Sequence, residues 1–221
     1  VYSSDFISAD DAETELRTHL GMLESDEEAR HLRMNVGQLA KHWAKNCLAL
    51  GLSQGFIEPL EATALLLVQQ AIEMFVTRYE QGGFTAAHRD DYNDKVHERF
   101  ERVRDYIVAH YKLNTRDDTE YWKANRDNME LSSTLRHILD AWYRRGDLTR
   151  EIERRKLESH FTSVSWHCLL AGYGAFPPLA PDQPVHRDLY KDQQVARFLE
   201  RCSLNFESHG DNLKALNGEF R

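Results

Sequence analysis

Apolar and polar residues alternate with two different periods along this chain. From residue 64 onward, apolar side chains recur every three or four positions, which predicts amphipathic helices. Glycine follows several of these runs, as is common at helix ends. The predicted helices cover residues 64–81, 86–111, 115–124, 131–145, 163–170 and 189–216, the last interrupted near Ser208, His209 and Gly210, and a proline-rich loop covers residues 172–185.

The first fifty or so residues follow patterns more typical of strands. Residues 1–8 and 31–37 have sequences typical of extended strands, and residues 47–52 are a short apolar run. Each of the three segments is therefore predicted to form a strand. Ser8 is followed by Asp10 and Asp11, which predicts a helix N-cap and a helix that ends at Gly21. The acidic segment 25–30 predicts the start of another short helix. The predicted strands are residues 1–8, 31–37 and 47–52.

These patterns predict a mainly α fold with a small β part at the N-terminus. Residues 1–58 are expected to hold the sheet region with short helices, and residues 59–221 the helical region, both as parts of one larger domain. The strand predicted at residues 1–8 has no earlier strand to pair with, and Val1 is not a methionine. We therefore expect the chain to be a fragment of a longer protein.

Composition narrows the class of protein. Hydrophobic residues make up 41% of the chain, which is enough for a core, and the net charge of -8 disfavours nucleic acid and anionic membranes as partners. No apolar run approaches a membrane span, and the first residues lack the order of a secretory signal. Cys47, Cys168 and Cys202 are dispersed in apolar settings, so we expect reduced core residues in a cytoplasmic protein.

Two pairs of residues have the spacing of metal ligands. Glu28 and His31 match one arm of a di-iron site, and Asp94 and His97 come near to the second. An orderly four-helix pattern around both pairs is missing from the sequence, so we interpret them as solvated helix faces and predict no metal. The sequence also contains no GxGxxG run to hold the pyrophosphate of a dinucleotide.

Residues 53–64 (SQGFIEPLEATA) are the most informative stretch of the chain. They join a predicted strand to a predicted helix, and Pro59 suits the first helical turn. The backbone N–H groups that follow have no partner within the helix, which makes this helix start a candidate anion site. Glu61 lies in the same turn. It is either a capping residue that favours the helix dipole or a catalytic carboxylate beside the anion site.

Residues 51–63 (GLSQGFIEPLEAT) closely resemble the signature of flavin-dependent tryptophan halogenases. Four further segments resemble blocks of the same family, in the same order. The resemblance covers nearly the whole chain but only the C-terminal half or less of the family's length. It implies the C-terminal helical portion of an FAD-dependent monooxygenase-like α+β fold. The four segments are residues 1–8, 43–47, 104–111 and 165–174.

The resemblance implies an enzyme that halogenates an electron-rich aromatic ring, such as tryptophan, indole or an indole-like compound. It would use reduced FAD from a separate flavin reductase, oxygen, and chloride or bromide. The family's FAD cradle, catalytic lysine and Trp-x-Trp-x-Ile-Pro signature lie N-terminal to the part matched here. We therefore expect the chain alone to be inactive and to have no measurable affinity for FAD. A homodimer is left open.

The resemblance also assigns roles to five residues. Glu61 would work with the family's lysine, either by polarising the oxidant or by accepting the ring proton. The backbone N–H groups of Thr63 and Ala64 would hold the halide. Leu52 and Leu65 would contact the flavin.

The motif departs from its common form at two positions. The family motif ends Glu-Ser-Thr-Gly, and this chain has Glu61, Ala62, Thr63 and Ala64. A halide bound by backbone N–H groups tolerates both changes, although Ala64 can alter the depth of the pocket. The alternative interpretation is a non-catalytic helical interaction module that retains the family fold.

Overall fold

The computed structural model describes residues 1–58, 60–158, 160–177 and 192–219. The chain divides into two compact units, Val1–Pro177 and Pro178–Arg221. Helices dominate both units, as predicted. Within the described residues the helices are α1 (Ala9–Leu20), α2 (Thr63–Gln81), α3 (Arg89–Lys112), α4 (Glu120–Asp127), α5 (Ser133–Tyr143), α6 (Leu148–Arg154), α7 (Ser163–Gly172), α8 (Asp192–Ser203) and α9 (His209–Glu219).

In the part of the chain that the structure describes, four two-residue strands form two small antiparallel pairs. Strand β1 (Gly37–Gln38) pairs with β4 (Gly55–Phe56), and β2 (Trp43–Ala44) pairs with β3 (Cys47–Leu48). Gly55 faces Gln38, and a Cβ atom at Gly55 would lie 2.5 Å from the carbonyl oxygen of Gly37. Only glycine therefore allows this close approach of the two backbones, which fixes the start of the segment that leads to Glu61.

The strand predictions were too extensive. Residues 1–8 form turns that lead into α1, and residues 31–36 are exposed and pair with no strand among the described residues. The run 47–52 keeps only two strand residues because Gly51–Ser53 bends into a 3₁₀ turn. Short apolar or alternating patterns indicate only that a segment is compatible with a strand. The strand forms only where a partner strand is available for pairing.

Helix α1 is confirmed at both ends. The Ser8 hydroxyl accepts a hydrogen bond from the N–H of Asp11, and Gly21 adopts a left-handed φ of 67°. The short helix expected near residues 25–30 does not form. The Arg17 guanidinium binds the carbonyl oxygen atoms of Ser25 and Glu27, which a helix would otherwise use.

The start of the first unit is anchored on α3 through a buried amide. Asn93 Oδ1 accepts hydrogen bonds from the N–H groups of His42 and Trp43, both 2.8 Å long, and Asn93 Nδ2 donates to the carbonyl of Trp43. This contact places the β2–β3 hairpin on the helix. The first core cluster of the unit contains Trp43, Leu67, Tyr92, Val96, Phe100, Val103 and Ile107, and lies between this hairpin, α2 and α3.

A second core cluster joins the end of α3 to α5, α6 and α7. Leu135, Ile152 and Leu170 are fully buried in it. Helix α6 lies between the predicted helices 131–145 and 163–170 and was not predicted. Leu148 and Ile152 nevertheless face the core at a spacing of four, and the charged residues between them face outward. One buried stripe was hidden by the number of charges around it.

The other helix predictions are confirmed with shifted ends, except that α4 begins at Glu120 instead of residue 115. In the second unit, α8 and α9 are separated at residues 204–208, slightly before the interruption predicted near Ser208, His209 and Gly210, and the last two of these belong to α9. Most of the predicted proline-rich loop, with Pro178, Pro181 and Pro184, and the predicted helix start at residue 189 lie outside the described residues. Pro59, expected in the first turn of α2, also lies outside them.

Two surface properties differ from expectation. Cys47 and Cys168 are exposed and Cys202 is half-buried, so the three free thiols are not core residues. On α7 the inward positions are taken by Trp166, Leu169 and Leu170, which turns Cys168 outward.

Among the described residues, the run Leu60–Gln81 is long and apolar enough to cross a membrane by length and composition, a property that core helices of soluble proteins share.

Candidate functional site

The turn before α2 has an unusual backbone. Glu61 has φ 63° and ψ 12°, and Ala62 has φ 51° and ψ 30°. Two consecutive non-glycine residues therefore occupy the left-handed region, at a cost of about 1–3 kcal/mol each. The surrounding structure must hold this strain, and strained backbone of this kind concentrates at functional sites.

Glu61 does not lie in the first turn of α2, as the sequence suggested, but immediately before it. The left-handed residues break the helical path, so α2 begins at Thr63, with Ala62 as its N-cap. Ala62 has no side-chain oxygen, and within the described residues no side-chain hydrogen bond to this helix start is present. The N–H groups of Thr63 and Ala64 therefore have no partner within the helix, at the positive end of its dipole.

The carboxylate of Glu61 contacts a histidine that is 49 residues away in the sequence. Glu61 Oε1 lies 3.0 Å from His110 Nε2. His110 Nδ1 lies 2.9 Å from the carbonyl oxygen of Tyr106, one turn earlier on α3. The side chain of His110 is 12% exposed and that of Glu61 is 44% exposed. The histidine is thus fixed by α3, and the carboxylate reaches from it to the surface.

Aromatic side chains surround this pair. Tyr106 and Tyr173 each contact the His110 ring edge to face, with ring centres 5.0 and 6.0 Å apart. Burial, with a further contribution from the negative charge of Glu61, raises the pKa of Tyr106 to about 12, and the same causes raise the pKa of Tyr173. Both phenols therefore stay neutral, and Glu61 is the anionic group beside them.

The sequence predicts no role for His110, although its segment, residues 104–111, resembles a block of the family. The helical spacing of Tyr106 and His110 predicts the bond between them, but the contact to Glu61 depends on how α2 packs on α3. Trp166, in the segment 165–174 that resembles a family block, is 3% exposed and belongs to the core.

A second carboxylate of the motif also contacts α3. The hydroxyl of Tyr111 donates a short hydrogen bond to Glu58 Oε1. Burial, and then this bond, raise the pKa of Tyr111 well above its usual range. The side chains of Glu58 and Glu61 are therefore bonded to neighbouring residues of one helix.

The two positions expected to contact flavin expose apolar side chains. Leu52 is 84% exposed and Leu65 is 83% exposed, and the 3₁₀ turn that carries Leu52 packs against α2. Such surface fits the apolar edge of an isoalloxazine ring, but the sequence supplies no glycine-rich cradle for the phosphates. The residues present therefore fit the ring of FAD but not its pyrophosphate.

The spacings typical of metal ligands do not assemble a site. His31 Nε2 lies 2.8 Å from Glu13 Oε2, and Glu13 also binds Arg17, which makes a surface network. No group of three or more His, Cys, Asp or Glu residues suitable for a metal ion occurs in the part of the chain that the structure describes.

Comparison with known proteins defines the class of protein. The family model for tryptophan halogenase matches residues 1–187. The chain is 33% identical over 178 residues to the 7-chloro-L-tryptophan 6-halogenase KtzR of Kutzneria sp. (strain 744), covering 79% of this chain and 33% of that protein. The chain belongs to the flavin-dependent tryptophan halogenase family.

Solved structures agree with this membership. The fold matches tryptophan 6-halogenase SttH from Streptomyces toxytricini with a TM-score of 0.75 and 29% identity, over 92% of this chain and 41% of that one. It matches BrvH, a flavin-dependent halogenase from Brevundimonas sp. BAL3, with a TM-score of 0.73 and 33% identity, over 98% of this chain and 43% of that one. The chain thus spans less than half the length of these relatives.

Proposed function

We propose that this chain is the C-terminal portion of a flavin-dependent halogenase with an FAD-dependent monooxygenase-like α+β fold. The observation that carries the proposal is the Glu61 carboxylate, 3.0 Å from His110 and directly before the uncapped start of α2. A carboxylate and an anion site at one strained turn are two of the groups that the proposed electrophilic halogenation would use.

Glu61 acts on the aromatic ring in this proposal. Electrophilic substitution forms a carbon–halogen bond and then breaks the C–H bond at the same carbon, whose electron pair restores the aromatic ring. The released proton needs an acceptor, and the Glu61 carboxylate is the exposed anionic group of the turn. Its second role, polarising the oxidised halogen before attack, uses the same position.

The halide is held by the start of α2. The N–H groups of Thr63 and Ala64 have no helical partner, and the helix dipole favours an anion there. Thr63 is buried and Ala64 is exposed, and a halide held by their N–H groups would accept charge-assisted hydrogen bonds. Chloride and bromide satisfy this description equally.

FAD is the cofactor that the family requires, and Leu52 and Leu65 would border its ring. When bound and reduced, it supplies with oxygen the oxidising equivalents that convert halide into an electrophilic halogen. We propose a separate flavin reductase in the cytoplasm as the source of reduced FAD. The pyrophosphate site would come from an N-terminal region in the same polypeptide, since relatives are more than twice as long as this chain.

Tryptophan, indole and larger indole-like compounds are the proposed substrates. The named relative SttH is a tryptophan 6-halogenase, and the name of KtzR specifies 7-chloro-L-tryptophan. We assign no residue of this chain to binding the amino acid part of tryptophan. Free indole and indole-like compounds are therefore proposed on equal terms with tryptophan.

The experiment uses the complete enzyme, meaning residues 1–221 in one polypeptide with an N-terminal flavin-binding region. The enzyme is incubated with FAD, a flavin reductase, either chloride or bromide, and tryptophan or indole, and mass spectrometry follows the halogen isotope pattern in the product. The proposal predicts a ring-halogenated product that requires halide, oxygen and reduced FAD.

The matched control is the same mixture without the enzyme, in which free oxidised halogen is the only source of product. A non-catalytic interaction module predicts equal product in both mixtures. Such a result with both halides and a panel of indole compounds would contradict the proposed function.

A further inference from the structure

The contact between Glu61 and His110 carries an inference that rests on the proposed function and deepens it. The contact joins the strained turn before α2 to the last turns of α3. His110 is the hydrogen-bond partner that the described residues give to the Glu61 side chain. An exposed carboxylate on a strained turn would otherwise sample several rotamers, so this bond selects one of them.

The two ring nitrogens of His110 have different partners, and the difference fixes the position of one proton. The carbonyl oxygen of Tyr106 can only accept a hydrogen bond, so His110 Nδ1 carries a hydrogen and donates it. In a neutral ring, Nε2 would then be an acceptor and would face a carboxylate oxygen, which is also an acceptor. The 3.0 Å contact between Nε2 and Glu61 Oε1 therefore contains a shared proton.

We propose that His110 is a positioning residue that orients Glu61 and holds the proton of the pair, so that Glu61 faces the substrate as a carboxylate. Oε1 is occupied by the histidine, and Oε2 is the oxygen that receives the ring proton. His110 does not touch the substrate in this scheme. Its ring is fixed by α3, with edge contacts to Tyr106 and Tyr173, and so it transmits the rigidity of the helix to the turn.

The first test is spectroscopic and does not depend on turnover. In the complete enzyme labelled with ¹⁵N-histidine, both ring nitrogens of His110 should appear protonated near neutral pH. Glu61→Gln removes the carboxylate and should move the Nε2 signal toward the unprotonated range, because an amide N–H can donate to it. An Nε2 signal that is unchanged by Glu61→Gln would overturn the shared proton.

The second test is kinetic. His110→Phe keeps the ring and its edge contacts but removes both nitrogens, and we expect kcat for halogenation to fall by roughly 10²-fold with little change in KM for the aromatic substrate. His110→Gln restores a donor near the position of Nε2 and should recover most of the lost rate. A purely structural histidine predicts no such recovery, and unchanged kcat in His110→Phe would overturn the proposal.

His167 offers a matched control. Its Nδ1 lies 2.7 Å from the carbonyl of Ser163, one turn earlier, and its ring contacts Trp142 edge to face, yet among the described residues it makes no hydrogen bond to Glu61. His167→Phe should lose stability to a similar extent as His110→Phe while keeping kcat. Equal losses of kcat in the two variants would contradict a specific role for His110.

The two failures are distinguishable. If the unmodified enzyme gives no halogenated product, the proposed function fails, and the ¹⁵N signals still decide whether the pair shares a proton. If the unmodified enzyme is active and His110→Phe is equally active, the proposed function stands and the inference about His110 is wrong.

Discussion

The starts of α2 and α5, both in the first unit, differ in how their unpaired backbone N–H groups are bonded. At α5, Ser132 has ordinary extended backbone angles, φ -59° and ψ 156°, and its hydroxyl accepts a hydrogen bond from the N–H of Leu135. At α2, the N-cap is Ala62 in a left-handed conformation, with no side-chain cap. At the start of α5 a side chain accepts a hydrogen bond from a backbone N–H group. At the start of α2 no described side chain does so.

The difference indicates which start is built for stability. A serine cap contributes about 1 kcal/mol, and α5 uses one. Helix α2 omits a cap and adds two left-handed residues, which cost about 1–3 kcal/mol each. A sequence under selection for stability alone would not combine both losses at one turn. The proposed halide site would explain why both losses occur at the turn that contains Glu61.

The largest expected effect on stability is a loss of stability in acid, which should be greater around the β2–β3 hairpin than around α5. His42 is 1% exposed, and burial, with a smaller contribution from His97, lowers its pKa from 6.5 to about 4. The unfolded chain binds this proton near pH 6.5, so stability falls as the pH drops from 6.5 toward 4, by roughly 3 kcal/mol.

Near α5 the buried carboxyl group is Asp105, whose pKa is raised by burial. The sign is reversed there, because a raised folded pKa favours the folded state in acid. Amide hydrogen exchange at pH 7 and pH 4.5 should therefore show loss of protection first around the β2–β3 hairpin. His42→Gln should remove most of this pH dependence, and an unchanged profile would show that His42 is not its cause.

The second prediction compares the first helical residue of each helix. Thr63→Pro removes one backbone donor from the proposed halide site, and a charge-assisted hydrogen bond is worth about 1.5–3 kcal/mol. The halide concentration for half-maximal turnover of the complete enzyme should therefore rise by about tenfold or more. Proline is compatible with the first helical position but disfavours the ψ of 30° at Ala62, so the free energy of unfolding is measured alongside the halide requirement.

Ser133→Pro is the control for this substitution, since Ser133 occupies the equivalent position of α5. It should leave the halide requirement unchanged. If both variants raise the requirement equally, proline acts through general loss of stability, and the start of α2 holds no halide.

The third prediction removes the cap that α5 possesses. Ser132→Ala should reduce the free energy of unfolding by about 1 kcal/mol, because the N–H of Leu135 loses its acceptor. Denaturant unfolding measures the change. Halogenation per folded enzyme should stay constant, and a loss of activity without a loss of stability would mean that α5 has a role at the site.

The smallest expected effect concerns the strain at Ala62. Glycine adopts a φ of 51° without steric cost, so Ala62→Gly should raise the free energy of unfolding by up to about 1 kcal/mol. Denaturant unfolding provides the comparison. A destabilised variant would show that the left-handed conformation at Ala62 is not strained.

Sequence patterns predicted the capped ends of α1 better than the strained turn before α2. The ends of α1 follow from Ser8 and Gly21, because capping is decided by neighbouring residues. The motif around Glu61 was identified from its resemblance and from the expected helix start. Its left-handed backbone was not foreseen, since Glu61 and Ala62 are ordinary helix formers and packing overrides their preference.

Contacts between distant residues were the part that the sequence could not supply. The bond between Glu61 and His110 depends on the packing of α2 and α3, and helical periodicity describes each helix separately. The same limit explains the missed helix α6, where two buried residues among many charges gave a weak pattern. The division of the chain at residue 58, and the roles of Leu52, Thr63, Ala64 and Leu65, stay predictions.

Glu61→Gln in the complete enzyme tests the central claim most directly. Glutamine keeps the size of the side chain and removes the carboxylate, with Glu73→Gln, an exposed position on the same helix, as the control. The account predicts that halogenated product per folded enzyme falls by roughly 10²–10⁴-fold, the contribution of a general acid–base group, while flavin oxidation changes little. A capping role predicts instead a stability loss of about 1 kcal/mol or less with halogenation intact. Undiminished halogenation in Glu61→Gln would contradict the account.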